Sequence, residues 1–331
     1  MSTDMTGILR KVLFFLFLMF AFTGKISAFD LFQFSVAPKY ALHNGQLNEY
    51  VLYKNGNNLS ELNWEIKNIS LLGFNATMSW EMILLEAECM WGFPKASGNM
   101  LDSDWLNSSN YGMKTDYSES SNRVDYLGDL ELRMGVNIKT WDFLHIIPYG
   151  CISYSKICFE AENGYGWYGD YKNSKDGLNH YWSDTEAKYL KSGTLCPVDF
   201  ERETFNYGLG IKSSLLLFKR YTFSLDFCLA IFTQINSIDK HYTTMNRSSY
   251  NSYLDKMQGF FKSFTIRSEF DVKIWKGLSA GAGFKFVYIN QTLGNDYSKT
   301  STETKYSLDS TVNAAASGYS WNVEAFVRYS F

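Results

Sequence analysis

Two short runs in this 331-residue chain bring together side chains that exchange protons: Asp102-Ser103-Asp104 and Asp239-Lys240-His241. In extended chain alternate residues point the same way, so Asp102 shares a face with Asp104, and Asp239 with His241. Histidine is the side chain whose ordinary titration falls nearest neutral pH. Taken singly, each run is weak: an isolated DxD is more often a turn former, and a lone histidine more often a surface loop residue. Metal chemistry has little support, because His43, His145 and His180 have no obvious ligand partners near them and a zinc site needs three or four. The five cysteines are scattered and odd in number, without metal-type spacing, and read as small apolar fillers.

The elements that must carry these residues are strands. From Val124 to Ile138 the even positions are almost all apolar, while the odd ones include Asp125, Asp129, Glu131 and Arg133. The pattern returns in Tyr221–Ile231, in Phe264–Ile274 and in Trp321–Phe331, the last ending the chain on an aromatic residue. Such alternation runs longer than a typical globular strand, with one face apolar and the other densely charged. A transmembrane barrel needs that pattern, with apolar residues toward lipid and polar ones toward the lumen. Aromatic residues make up 18% of the chain, enough for girdles at two membrane interfaces, and only 4 prolines interrupt it. Ten strands are predicted, roughly 30–42, 60–79, 82–93, 121–140, 143–162, 203–217, 220–236, 259–275, 278–293 and 317–331. Short turns alternate with long polar segments at about 43–59, 94–120, 163–202, 237–258 and 294–316. The expected fold is therefore all-β, a ten-stranded antiparallel transmembrane β-barrel with long extracellular loops, occupying residues 29–331. Residues 1–28 read as a signal peptide: Arg10 and Lys11, the apolar run Val12–Phe22, then Ile26-Ser27-Ala28. That apolar run is too short for a membrane-spanning helix. With 31 basic against 34 acidic residues, the chain lacks the basic stripe that nucleic acid demands.

The run Gly98–Asn110, around Asp102 and Asp104, resembles the signature of the omptin outer-membrane proteases, and Asp239-Lys240-His241 resembles their Asp-x-His pair. The resemblance extends over the whole mature chain, through the strand layout, Leu62-Asn63-Trp64 and the aromatic C-terminus. It implies an outer-membrane endopeptidase acting on extracellular polypeptides, with no cofactor. Asp239 and His241 would activate a water, His241 taking the proton and Asp239 orienting the ring. Asp102 and Asp104 would hold that water from across the barrel mouth, sharing a proton because like charges resist double ionisation. The same resemblance implies a preference for basic residues on both sides of the cut. Glu49 matches an acid of the pocket before the cut, and Asp116 the acid after it. Ser237 stands where the family usually has the pocket's other acid, so that pocket is expected to hold one carboxylate and to be less strict. The family is activated by lipopolysaccharide on an outer-wall cluster. Here that stretch reads Ile152, Tyr154, Lys156, retaining only a basic residue, so activation by this or another outer-membrane lipid is expected to differ or be absent. The chain is expected to act as a monomer.

Two other classes fit a barrel. A non-enzymatic adhesin would bind host proteins with the 163–202 loop, and a small porin would conduct through the lumen. The four acid–base residues favour the enzyme over both, and charges on most lumen rows count against an open pore. One feature conflicts: the apolar row of the Tyr221–Ile231 strand is odd-numbered, so unbroken alternation would turn Asp239 and His241 outward. A bulge or loop within Thr233–Ser237 is expected to restore their inward aim.

Overall fold

The computed structural model describes residues 32–107, 110–168 and 195–331. The proposed leader and most of the 163–202 loop lie outside the described residues. The chain folds as β1 (Phe32–Tyr53), β2 (Asn58–Trp80), β3 (Ile83–Gly92), β4 (Lys95–Asp104), β5 (Asp116–Val136), β6 (Ile138–Trp141) and β7 (Leu144–Tyr168). It continues as β8 (Val198–Leu217), β9 (Tyr221–Tyr242), β10 (Tyr250–Phe260), β11 (Ser263–Trp275), β12 (Leu278–Thr300), β13 (Ser307–Leu308) and β14 (Val312–Ser330). Several of these are halves of one stave. β3 and β4 both lie between β2 and β5. β10 and β11 both lie between β9 and β12, and β6 extends β5 along β7. Among the described residues this leaves ten antiparallel staves. The ring closes where β1 pairs with β14, from Ser35 opposite Ser330 to Tyr53 opposite Val312. Closure satisfies every edge, which a sheet inside hydrocarbon requires.

The turns at one end are tight. Phe218 and Lys219 both have positive φ (53° and 56°) between β8 and β9, as a two-residue hairpin turn matched to strand twist demands. Exposed aromatics crowd that end: Trp80, Trp141, Phe143, Phe218, Trp275 and Phe331. Phe32 stacks on Trp80 and Trp141 on Phe143, forming an interfacial girdle. Above it the outward rows are apolar, as in Phe223, Leu225 and Phe227 of β9 or Val323 and Val327 of β14. The inward residues between them, such as Asp226 and Glu324, are buried.

Those inward charges neutralise one another. Lys39 Nζ lies 2.7 Å from Glu88, 2.6 Å from Glu324 and 3.9 Å from Glu269. Arg133 contacts Glu131 at 2.7 Å, Glu86 at 3.0 Å and Asp226 at 3.3 Å. Arg267 bridges Asp226 and Glu131, and Arg328 holds Asp271. Over the network sits an apolar plug in which Trp64, fully buried, packs against Phe159 at 5.3 Å and Phe200 at 5.0 Å, themselves 6.1 Å apart. Ion pairs and plug fill the lumen, as the charged rows imply.

The structure departs from the expected pattern in two ways. First, the sheet rises well above the lipid belt, so the predicted outer loops are mostly strand. The 43–59 segment reduces to a turn at 54–57, and 237–258 to one at 243–249. Outside the membrane both faces of a strand meet water or protein, and the alternation that reveals a strand in sequence disappears. Second, several staves exchange faces near the top of the belt. In β5, Val124 pairs with Phe159 and Tyr126 with Cys158, leaving Asp125 as the extra residue. The even row is outward from Leu130 to Val136, yet inward from Val124 back to Asp116. The predicted unbroken row Val124–Ile138 therefore breaks at Asp125.

The ion network makes a quantitative prediction. Lys39→Met leaves buried Glu88 and Glu324, and half-buried Glu269, without their shared cation, and breaking such a cluster from one side costs about 3–5 kcal/mol. The variant barrel should lose its heat-resistant compact gel mobility at a clearly lower temperature than the native chain. An unchanged transition would show that the network is not a stability element.

Candidate active site

The inward aim of the acid–base residues begins with Ile231. Across β8 and β9, Tyr207 pairs with Phe232 and Gly208 with Ala230, so Ile231 has no partner. Below it Ser224, Asp226, Cys228 and Ala230 point inward; above it Thr233, Ile235, Ser237 and Asp239 are the buried positions. One extra residue reverses the strand's faces. The bulge thus exists, but before Phe232 rather than within the predicted Thr233–Ser237. It falls where the outward row stops being apolar and becomes Gln234, Asn236, Ile238 and Lys240. β12 carries a matching irregularity at Asn290-Gln291, which turns Thr292 and Asp296 inward.

Asp239 is buried, and its Oδ2 lies 2.5 Å from His241 Nε2. The His241 side chain is about one-third exposed, at the open end of the barrel. The ring of Tyr253, on β10 opposite Asp239, meets the His241 ring edge-on at 5.7 Å. On the other wall β4 carries Asp102 and Asp104, between β2 and β5. Both were expected on a loop; both lie on a strand, half-buried. Asp104 pairs with Asp116 of β5, so the acid expected after the cut stands beside the Asp pair. Ser103, between Asp102 and Asp104, is buried and accepts a hydrogen bond from Lys114 at 2.9 Å. Met100 and Trp64, buried beneath, form the floor.

The two walls sense each other's charge. Burial, then Asp104, raises the Asp102 carboxyl to about 7, although His241 opposes the shift. Asp104 is raised as well, chiefly by burial. For His241 burial favours the neutral ring, but Asp239, Asp102 and Asp104 outweigh it and raise the imidazole to about 9. Asp102 Oδ1 and Asp239 Oδ1 are buried without a hydrogen-bond partner. Buried acceptors with free lone pairs beside groups whose titration is displaced mark a candidate functional cleft.

The third group of expected residues meets elsewhere in the mouth. Glu49 lies on β1, not on a loop, and is buried. Ser237 is buried below Asp239, and its hydroxyl donates to Asp255 Oδ2 at 3.3 Å. Asp255 of β10 pairs with Ser237 on one side and with Asp296 of β12 on the other. Burial raises Asp255 to about 7 and Asp296 to about 6, and Asp239 contributes to both. Glu49 is raised by burial and then by Asp239 and Asp255. Asp255 and Asp296 thus stand level with Ser237, carboxylates that the sequence reading, with Glu49 alone, did not include. Arg202 of β8, 1% exposed, faces them and donates to the backbone oxygens of Asn48 at 2.6 Å and Ser317 at 2.9 Å. Sequence reasoning missed Arg202, Tyr253, Asp255 and Asp296. The i, i+2, i+4 spacing of Tyr253, Asp255 and Met257 was the available signal, hidden by placing 237–258 in a loop. Among the described residues no group of His, Cys, Asp and Glu is arranged to hold a metal ion.

A closed ten-stave barrel with an apolar outer belt, a charged lumen and a cluster of acid–base residues at its open end has the architecture of a membrane-spanning barrel. The chain belongs to the omptin family, whose family model matches residues 32–331. It is 29% identical to the plasminogen activator of Yersinia pestis over 113 residues, 33% of this chain and 34% of that protein. It is 29% identical to Protease 7 of Escherichia coli K12 over 96 residues, 28% of each. These matches span about a third of the relatives' length. The crystal structure of the outer membrane protease OmpT from Escherichia coli shares the fold, with a TM-score of 0.77 at 15% identity over 90% of this chain and 97% of that one.

The electrostatics can be measured without any substrate. In detergent micelles the His241 imidazole should titrate near 9 by NMR, well above the ordinary value of about 6.5. Asp102→Asn removes an anion that favours the imidazolium, so it should move that titration downward. A His241 titration at its ordinary value, unmoved by Asp102→Asn, would mean that the walls do not face each other.

Proposed function

We propose that this chain is an outer-membrane endopeptidase that hydrolyses extracellular polypeptides near basic residues, using a water activated by Asp239 and His241. The observation that carries the reading is the Asp239–His241 contact at 2.5 Å, set within the field of Asp102 and Asp104 at the open end of the barrel. His241 takes a proton from the water as it attacks the peptide carbon. Asp239 fixes the ring and stabilises the imidazolium that forms. Asp102 and Asp104 hold the water, and whichever carboxyl is protonated can donate to the carbonyl oxygen as negative charge develops there. No resident metal or covalent intermediate enters this scheme. Asp116, beside Asp104, supports a cationic residue after the cut, and Glu49 one before it.

Dependence on an outer-membrane lipid is expected to differ from that of an enzyme whose outer wall offers free cations. Lys156 is already held by Glu201 at 2.5 Å and Glu203 at 3.3 Å, and Tyr154 donates to Glu203 at 3.0 Å. A lipid phosphate would have to displace two carboxylates. The proposal therefore includes proteolysis that persists in detergent without lipopolysaccharide.

The test is cleavage of a fluorogenic peptide library by refolded barrel. General acid–base groups contribute about 10²- to 10⁴-fold, so His241→Ala and Asp102→Ala should each lower kcat/KM by that order. Neither change should abolish the barrel, because burial and like charges already disfavour ionised Asp102. The base must be unprotonated and one carboxyl of the Asp pair protonated. With His241 raised to about 9 and Asp102 to about 7, kcat/KM should therefore climb from pH 6 to about 7, hold level to about 9 and fall above it. Native-like cleavage by both variants, with heat-resistant mobility intact, would refute the assignment.

A further inference from the structure

Arg202, Ser237, Asp255 and Asp296 lie at one level across four neighbouring staves, because Arg202 pairs with Ser237, Ser237 with Asp255, and Asp255 with Asp296. Asp255 is 2% exposed and Asp296 4%. Two residues higher on the same strands stand Asp239 and Tyr253; two residues lower, the apolar Ile235 and Met257, both buried. Across the barrel wall β14 contributes Ala314 and Ala316 between Glu49 of β1 and the residues of β12. Their small side chains leave room for the buried Glu49 carboxyl, which is raised by burial and then by the charges of Asp239 and Asp255. Glu49 Oε2, Asp255 Oδ1 and Asp296 Oδ1 are all buried without a hydrogen-bond partner. Three carboxylates thus converge on a corner where the buried cation Arg202 points its Nη atoms at backbone oxygens instead. Buried carboxylates with free lone pairs are poised for a charged donor.

We propose that Asp255, paired with Glu49, is the carboxylate that selects a cationic side chain before the cut, taking in space the role that position 237 lacks in sequence. The inference rests on the endopeptidase reading for the phrase "before the cut", though the cation site itself does not. The depth fits the ligand. The acid pair lies two residues below Asp239, which is about 7 Å along a strand. An extended chain lying at the level of Asp239 and His241 would send a lysine or arginine side chain down to Glu49 and Asp255. Short or neutral side chains would leave the acids facing each other. Ser237 has a definite part: its hydroxyl donates to Asp255, and its strand stands between those of Arg202 and Asp255. An aspartate at 237 would instead stand between Arg202 and Asp255, adding a fourth negative charge to a corner that already disfavours ionisation. Ser237→Asp is therefore expected to gain little selectivity.

Two experiments separate this inference from the peptidase reading. The first measures binding of p-aminobenzamidine, a fluorescent cationic probe, to the His241→Ala barrel, where catalysis plays no part. Asp255→Asn in that background should weaken binding roughly 10- to 150-fold, the worth of a charge-assisted hydrogen bond. The second compares kcat/KM for peptides with arginine or norleucine before the cut. Asp255→Asn should lower the arginine-to-norleucine ratio by a similar factor, Ser237→Asp should leave it nearly unchanged, and the exchange Ser237→Asp with Asp255→Ser should restore part of it. Heat-resistant mobility confirms that each variant is folded, and the exchange variant keeps one acid in the corner should Asp255→Asn fold poorly. Retention of the native ratio and probe affinity by Asp255→Asn overturns the proposal, as does a sharp rise in selectivity with Ser237→Asp alone. If no peptide is cleaved but the probe binds through Asp255, the cation site stands and the peptidase reading falls.

Discussion

A strand in a barrel wall has one face toward the lumen and one toward the surroundings, and its side chains alternate strictly between them. In the lower barrel this rule sends Asp226 inward and Leu225 outward on β9. Followed without interruption it would place Asp239 and His241 on the outside. Ile231, unpaired with β8, is the residue that prevents this. The same device appears on β5 at Asp125 and on β12 at Asn290-Gln291. Asp116, Ser237, Asp239, His241 and Asp296 all owe their inward aim to one of these three irregularities. Each lies near the level where lipid gives way to water. Below that level a misdirected charge would face hydrocarbon; above it the outward face tolerates Gln234, Asn236 and Lys240, so the reversal is cheap there.

The two halves of the barrel consequently obey different electrostatics. In the lower lumen each buried acid has a cation within contact, as Glu88 has Lys39 and Lys285, and Asp226 has Arg133 and Arg267. In the mouth carboxylates outnumber cations. Asp102, Asp104, Asp239, Asp255, Asp296 and Glu49 crowd around His241 and Arg202, and several keep a buried oxygen unpartnered. Such an arrangement costs stability and persists only if the rest of the molecule supports it. The closed hydrogen-bond ring, the ion network and the Trp64–Phe159–Phe200 stack supply that support from below.

How much of this was legible in the sequence follows from the same division. Within the belt, lipid enforces apolar residues on one face, so rows such as Phe264, Ile266, Phe270 on β11 or Val323, Ala325, Val327 on β14 announce themselves. The strand count and the short turns come from that signal. Above the belt the constraint lapses. Asn251, Tyr253 and Asp255 give no sharp alternation, and the top of β9 with nearly all of β10 read as a loop. The bulges were half visible: the conflict at Asp239 required one, but nothing in the composition distinguishes Ile231 from the residues after it. The Asp102–Asp104 and Asp239–His241 pairs were legible because their i, i+2 spacing survives on either a strand or a loop.

The role proposed for Asp255 shows why position-by-position comparison is a poor guide to a barrel's mouth. A side chain at 237 has near neighbours two residues away on its own strand and directly across on β8 and β10. A charge moved from 237 to 255 travels 18 positions in sequence but one inter-strand spacing, about 5 Å, in space. At that scale the field on a ligand's cation is set by the number of carboxylates in the corner and by their shared solvent exclusion, not by which strand bears them. The direction of approach does change, because Asp255 reaches in from the β10 side, farther from Arg202 than residue 237 would be. Separating the resident cation from the acid by a serine leaves that acid free for an incoming one.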